Sequence, residues 1–350
     1  MHVRDLAAAL KERGDDVTVL AGGGGILFEA LAARGVSCRL LEKLVHPIRP
    51  LQDGAALLEI RSALGEIRPD IVTTHSNKAG LLGRLAARSL KIPAVHTSHG
   101  FLFGGSPKDA RGRFYRLVEK VAARAGDRVI AVAESEFKAA REAGVIAPEK
   151  MTVVYNGLPE LDPPLTADPG GDPPRLVMVA RFAEPKDHLT LLQALGGLQE
   201  EPWSLTLVGD GEGRGRAENT AAELGIGGRI DFAGVREDVP AILAVSQVFV
   251  LSSRREGFPL SVLEAMRAGL PVVASRAGGT GEAVVEGKTG LLFAPGSSEQ
   301  LQEALLKLLR DPALRRDMGR AGRERFRERF TLEQMVEDTC AVYRSVLGRE

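Results

Sequence analysis

The chain has 350 residues, 44% hydrophobic and 26% charged, with a formal net charge of +0. That length accommodates two ordinary domains with a core each, and the composition is that of a soluble globular protein. No global field gathers nucleic acid or an anionic membrane, so only a local patch could do so. Cys38 and Cys340 are the only cysteines. Far apart and outside any CxxC pattern, they exclude a zinc ribbon or a disulfide framework and suit a reducing cytoplasm. No apolar run reaches the roughly 18 residues of a membrane span. The opening MHVRDLAAALKERG carries charges throughout and does not read as a signal peptide.

From Met1 an amphipathic helix is predicted, with Val3, Leu6, Ala7 and Leu10 on one face. Short β-branched runs then alternate with helical periods. Strands are predicted at 17–20, 36–40, 70–74, 94–97, 128–132 and 152–155, and helices at 54–66, 78–89 and 110–125. Such alternation specifies a parallel sheet with helices on both faces. The run Gly22–Gly25 lacks GxGxxG spacing and an acidic partner, and reads as a flexible loop rather than a phosphate cradle. The stretch 157–174, dense in Pro, Gly and Asp, reads as an interdomain linker. Beyond it strands are predicted at 176–180, 204–208, 229–233, 248–251, 271–274 and 290–293, followed by helices at 299–309, 312–329 and 332–347. The expected architecture is α/β, with two Rossmann-like doubly wound domains over 1–156 and 175–330 facing a cleft. A C-terminal segment, 331–350, is expected to return to the first domain.

Chemistry-bearing residues concentrate in the second half. In VARFAEPKDH, Arg181 and Lys186 lie five apart across a strand-to-helix turn. The guanidinium is a planar fork and the ammonium a mobile point charge, a pair suited to a diphosphate, although taken alone they read first as solvated surface charges. In SRREGFPLSVLEAMRAGLPVVAS, Pro259 opens a helix and Gly269 closes it. The N–H groups near Leu260 and Ser261 then form an anion-favouring helix start. Glu256 lies before that start and Glu264 more than a turn inside it. The two carboxylates are therefore expected on either side of a bound phosphate, as clamps for hydroxyl pairs rather than as an acid/base dyad. In VGDGEGR, Asp210 and Glu212 imitate a metal motif, but Gly209, Gly211 and Gly213 mark a turn. His75 and His96 read as satisfied polar residues at strand ends.

The ordered set ARFAEPK, VGDGEGR, FAGVREDV, EGFPLSVLE, GLPVVAS and GKTGLLF resembles the nucleotide-sugar half of retaining GT-B glycosyltransferases of family 4, the glycosyl transferases group 1. RPDIVTTHSNKAGLLGRLAARSLKIPAVHTSHGF in the first half is similar to members that build bacterial surface polysaccharides. The resemblance implies transfer of a sugar from a nucleoside-diphosphate sugar, a UDP-sugar by family frequency, to a hydroxyl of a glycan or polyprenyl-linked acceptor. Within it, Arg181 and Lys186 match the diphosphate cations that replace a metal, so no metal and no other cofactor is expected. Glu264 matches the ribose clamp and Glu256 the clamp on the transferred sugar. Gly209, Gly257, Phe258, Pro259, Leu260 and Ser261 match donor-binding positions, Val235 and Arg236 the main chain at the base, and His99 the active-site histidine. No nucleic-acid partner is implied, and the location is cytoplasmic, at most peripheral to the inner membrane face.

Two departures stand out. Family members open with a strand and a GGxE-like loop that helps receive the acceptor, and this chain reads as starting after both. Either the true start lies upstream or the first domain is incomplete; an altered acceptor side with an intact donor half is expected. The alternative function is then a nucleotide-sugar binder that transfers nothing. In GGTGEAVVEG, Gly281 stands near a position where the family often has proline, which would loosen that loop. Finally, Phe101, Phe103, Phe114, Tyr115 and Leu117 interleave with Lys108, Arg111, Arg113, Arg116 and Lys120. That segment reads either as a membrane-surface helix or as an ordinary amphipathic helix packed on the sheet.

Overall fold

The computed structural model describes residues 2–45, 47–101 and 110–349. In chain order the first half contains α1 (His2–Glu12), β1 (Thr18–Ala21), α2 (Gly25–Ala32), β2 (Ser37–Leu40), α3 (Pro50–Ile67) and β3 (Val72–His75). It continues through α4 (Asn77–Ser89), β4 (Ala94–Ser98), α5 (Ala110–Ala125), β5 (Arg128–Ala131), α6 (Glu134–Glu142) and β6 (Met151–Val153). The second half runs β7 (Arg175–Val179), α7 (His188–Gly196), β8 (Ser204–Val208), α8 (Arg214–Glu223), β9 (Ile230–Gly234), α9 (Val239–Ala244) and β10 (Val248–Leu251). It closes with α10 (Leu260–Ala268), β11 (Val272–Ser275), α11 (Thr280–Ala283), β12 (Gly290–Phe293), α12 (Ser298–Arg310), α13 (Pro312–Arg329) and α14 (Leu332–Leu347). Two compact units result: Met1–Asn156 with Leu332–Glu350, and Gly157–Thr331.

In the first unit the strands form two parallel pieces, β1–β2 and β3–β4–β5–β6. Among the described residues β1 and β3 do not pair. Apolar packing joins the pieces instead. On α1, Leu6 enters the cluster of Val95, Ile130 and Val154, while Ala7 packs with Leu31 and Val36 beside Val17 and Val19. A further cluster joins Leu20, Val72 and Ala94 through Ala56, Ile60 and Leu64 of α3. Helix α14 belongs to this unit because Met335, Val336, Val342 and Tyr343 bury against that same Leu6 cluster. Burying such side chains contributes about 1.5–3 kcal/mol each, so α1 and α14 hold the two pieces in one fold.

The glycine run is more structured than its sequence suggests. Gly25 opens α2, and a Cβ on Gly22 would lie 1.7 Å from the Leu44 carbonyl oxygen. Helices α2 and α6 have no counterpart among the predicted elements. Helix α3 starts earlier than predicted because Pro50 sits in its first turn, where a missing N–H costs nothing, and Asp53 accepts the Arg49 N–H at 3.0 Å.

The second unit has one six-stranded parallel sheet, ordered β12–β11–β10–β7–β8–β9. Strands β10 and β11 are buried at every residue, which explains the apolar runs VFVL and VVA, and the buried Ser275 that ends β11 is hydrogen-bonded to Ser253. The Pro/Gly-rich stretch 157–174 is packed along this unit. Leu158 donates its N–H to the Phe330 carbonyl at 3.0 Å and Ala167 to that of Ala268 at 2.8 Å. Arg315, fully buried, donates to the carbonyls of Pro169 at 2.6 Å, Gly171 at 2.9 Å and Leu308 at 2.6 Å. A guanidinium with several fixed donors is suited to stapling a coil segment to a helix end.

His188 opens α7 and stacks on Phe182, with ring centroids 4.0 Å apart and planes 12° from parallel. Burial lowers its pKa from 6.5 to about 4; Lys186 adds to the shift and Asp187 opposes it. Because the folded pKa lies below the unfolded one, the unfolded chain takes up this proton first. Stability is therefore fully present above about pH 6.5 and drains away as pH falls towards 4, by about 3 kcal/mol for this group. Urea denaturation between pH 7 and pH 4.5 should show that loss, and His188→Phe should flatten the pH slope by up to one proton. An unchanged slope in the variant would contradict the assignment.

Candidate functional site

The strand order of the second unit fixes where a ligand can sit. From β7 the chain winds outward through β8 and β9, then returns to β10 on the opposite side of β7 and winds outward again. Loops leaving the carboxyl ends of β7 and β10 diverge at this switch point, and such crevices are where open α/β sheets bind ligands. Arg181 and Lys186 follow β7, Gly209 follows β8, Val235 and Arg236 follow β9, and Glu256 to Pro259 follow β10.

Close backbone packing holds these loops together. Gly209 has φ +136°, and a Cβ there would lie 2.1 Å from the Ala180 carbonyl oxygen; at Gly211, φ +151°, a Cβ would lie 2.6 Å from that of Phe182. Phe182 donates its N–H to the Asp210 carbonyl at 3.0 Å, and Gly213 donates to the Phe182 carbonyl at 2.8 Å. The VGDGEG segment thus forms the bed for the Arg181 loop. The Asp210 carboxylate accepts the Gly211 N–H at 2.7 Å, a turn role, and neither it nor Glu212 joins a metal-like cluster among the described residues.

The loop after β10 is seated in the same way. Ser275 accepts the Ser253 N–H at 3.0 Å and donates to its carbonyl at 2.7 Å. At Gly278, φ is +51° and a Cβ would fall 1.8 Å from the Glu256 carbonyl oxygen; Gly279 donates to the Gly257 carbonyl at 2.8 Å. Ser275 and Gly278 were not among the predicted site residues. Their only sequence trace is the small-residue run ASRAGG, which says nothing about what it supports. Gly281, predicted to loosen this segment, lies within α11.

Lys186 and Glu256, 70 residues apart, are brought into a direct ion pair. Around them Lys186 bridges to Ser253, Arg254 donates its N–H to the Pro185 carbonyl at 2.8 Å, and the Arg254 guanidinium reaches Asp187 at 3.1 Å. Arg181 is exposed and makes no ion pair among the described residues. Pro259 is the N-cap of α10 and offers no side-chain cap, while Gly269, at φ +81°, ends the helix. Among the described residues nothing accepts the Leu260 and Ser261 N–H groups, so two donors and the positive end of the helix dipole stay open. Glu264 lies in the second turn of α10 and is only 7% exposed. The two glutamates therefore occupy separate settings, one on a loop against Lys186 and one within the helix. Phe258 is buried against Phe330 at 5.3 Å, a packing role. Val235 is exposed, and Arg236 is held bidentately by Asp238 at 2.8 and 2.7 Å.

In the first unit His99 follows β4 and meets His75, the last residue of β3, with Nδ1 of His75 3.2 Å from Nε2 of His99. His2, at the start of α1, packs edge-on to His99 at 4.6 Å between ring centroids. Burial lowers the pKa of His2, to about 3, and that of His75. His75 therefore does more than satisfy itself at a strand end, whereas His96 is buried against Thr74 at 3.0 Å, with Gly80 leaving room for its ring.

Residues 167–325 match the family described as Glycosyl transferases group 1, and residues 1–160 match Glycosyltransferase Family 4. The chain is 31% identical over 288 residues to the UDP-Gal:alpha-D-GlcNAc-diphosphoundecaprenol alpha-1,3-galactosyltransferase of Escherichia coli, covering 77% of this chain and 74% of the relative. It is 30% identical over 338 residues to the alpha-maltose-1-phosphate synthase of Mycolicibacterium smegmatis, covering 87% of each. Among solved structures, Anabaena HepE in complex with UDP and glucose superposes with a TM-score of 0.84 at 22% identity, over 98% of this chain and 95% of that one. The last likeness concerns the fold, two Rossmann-like domains of the GT-B kind. Taken with the relatives that cover most of its length, these matches establish that the chain belongs to the group 1 glycosyltransferases of family 4 and is a glycosyltransferase.

Proposed function

We propose that the chain transfers a sugar from a nucleoside-diphosphate sugar, a UDP-sugar, to a hydroxyl of a glycan or lipid-linked glycan, with retention of anomeric configuration. One observation carries this reading. Arg181 and Lys186 follow β7, and the open N–H groups of Leu260 and Ser261 follow β10, the two strands at the switch point of one sheet, with Lys186 paired to Glu256 between those loops. Together they stabilise the charge that develops on a departing diphosphate, and they do so without a metal. Glu256 takes hydroxyls of the transferred sugar and, through Lys186, is held beside the phosphate. Glu264 takes the ribose hydroxyls, and the main chain at Val235 and Arg236 meets the base. His99 is assigned to the sugar by its family correspondence. Glu256 is engaged by Lys186 and Glu264 lies inside a helix, so front-face displacement accounts for retention better than a two-carboxylate double displacement. Uracil is favoured by the UDP-Gal named for the E. coli relative and by HepE in complex with UDP-glucose.

A second reading, a donor binder without transfer, rests on the divided sheet of the first unit. Stabilisation by donor with neither donor hydrolysis nor transfer would select it. Contact with an anionic membrane is also proposed. Helix α5 exposes Phe114 (57%), Leu117 (59%) and Val121 (44%) in one stripe, with Arg113 and Arg124 exposed beside it. Each such cation adds about 1 kcal/mol at an anionic surface. Phe101, by contrast, is buried and donates its N–H to Glu136 at 2.9 Å. Phe103, Lys108 and the Arg111 side chain lie outside the described residues.

Thermal-shift screening of UDP-, GDP- and ADP-sugars should give the largest rise with a UDP-sugar, undiminished by chelator. Lys186→Ala with Glu256→Ala should cut kcat/KM by about 100-fold or more, the scale of losing charge stabilisation in the transition state. Glu264→Ala should act mainly on KM. Activity that survives the double substitution would overturn the assignment. In liposome flotation, Phe114→Ser with Leu117→Ser should abolish salt-sensitive binding to anionic vesicles, and wild-type protein that stays in the dense fraction would end the membrane proposal.

A further inference from the structure

The imidazoles of His2, His75 and His99 come from three different elements of the first unit, and each offers a ring nitrogen within 4.8 Å of the other two. Nδ1 of His75 and Nε2 of His99 are already 3.2 Å apart. Two nitrogens on one tetrahedral zinc, each at about 2.0–2.1 Å, stand roughly 3.3–3.4 Å from one another. That spacing matches an edge of a coordination tetrahedron; an ion would replace the His75–His99 hydrogen bond and draw His2 closer. The rings lie at different angles, 23° between His75 and His99 and 75° between His2 and His99. Three flat stacked rings would aim their lone pairs in parallel; a tilted third ring can aim one towards the other two.

The surroundings leave the rings available to an ion. Both ring nitrogens of His2 are shut off from solvent and have no hydrogen-bond partner among the described residues, so they are available to a ligand. His99 is exposed on one side, which gives an ion a way in and leaves room for a water as fourth ligand. No carboxylate shares the cluster among the described residues. An all-imidazole set suits zinc, cobalt, nickel or copper and disfavours magnesium and calcium, which need oxygen.

We infer that His2, His75 and His99 form a three-histidine site for a divalent first-row transition metal, with a fourth position open to solvent. The site lies within the first unit, apart from Arg181, Lys186 and the start of α10, and it shares His99 with the sugar contact proposed above. Occupancy would withdraw the His99 ring from any contact with a substrate.

Cobalt(II) titrated into the chelator-treated full chain tests this, because four-coordinate cobalt gives intense visible bands and the aquo ion does not. One equivalent is expected to bind with tetrahedral-type bands, to be displaced by zinc, and to be unaffected by excess magnesium. His99→Ala, at an exposed position that carries little folding risk, and His75→Ala should each weaken binding by about tenfold or more, with circular dichroism confirming that they fold. A spectrum that stays that of the aquo ion would overturn the inference. So would a Kd in folded His99→Ala within about twofold of the parent, far short of the loss expected for a ligand.

Discussion

The Lys186–Glu256 ion pair is the constraint on which the rest of the second unit's site depends. It ties the loop after β7 to the loop after β10, the two loops that diverge at the switch point of the sheet. Breaking one partner would leave a poorly solvated charge, so the pair acts as a positional lock rather than as a large net source of stability. Around it, positions that only glycine can occupy let backbone lie directly on backbone. Gly209 and Gly211 lie against the Arg181 loop, and Gly278 lies against Glu256. On the proposed reading a diphosphate would meet Lys186 already held in place by Glu256, the kind of preorganisation under which electrostatic stabilisation is worth most.

Much of this was legible in the residues. The β-branched runs gave the strands of both units to within a few positions, most cleanly at β10, where a strand buried at every residue is apolar throughout. Pro259 and Gly269 marked the ends of α10, since each suits one end of a helix for a backbone reason. What escaped was whatever depends on contacts distant in sequence. Nothing in GGGGILFEALAARG announces that Gly22 abuts the Leu44 carbonyl or that α2 begins at Gly25. His188 looked like one polar residue in a helix start, and only the stack on Phe182 gives it meaning. Lys186 was expected beside a phosphate and Glu256 beside a sugar, but their direct pairing across 70 residues is a property of the sheet order.

The first unit shows a different balance. Its sheet is in two pieces, and apolar helix faces supply the cohesion that strand pairing supplies in the second unit. The same arrangement brings His2 of α1 next to the strand-end residues His75 and His99. Read singly, each histidine passes for a satisfied polar side chain. Their grouping follows from α1 packing across the strands, a long-range consequence of burying Leu6 and Ala7.

The most direct test of the donor-site account is amide hydrogen exchange with and without UDP. If the open end of α10 receives a phosphate, the Leu260 and Ser261 amides should become strongly protected, together with amides of the Arg181–Lys186 loop. Protection confined to other parts of the chain, with the start of α10 unchanged at saturating UDP, would contradict it.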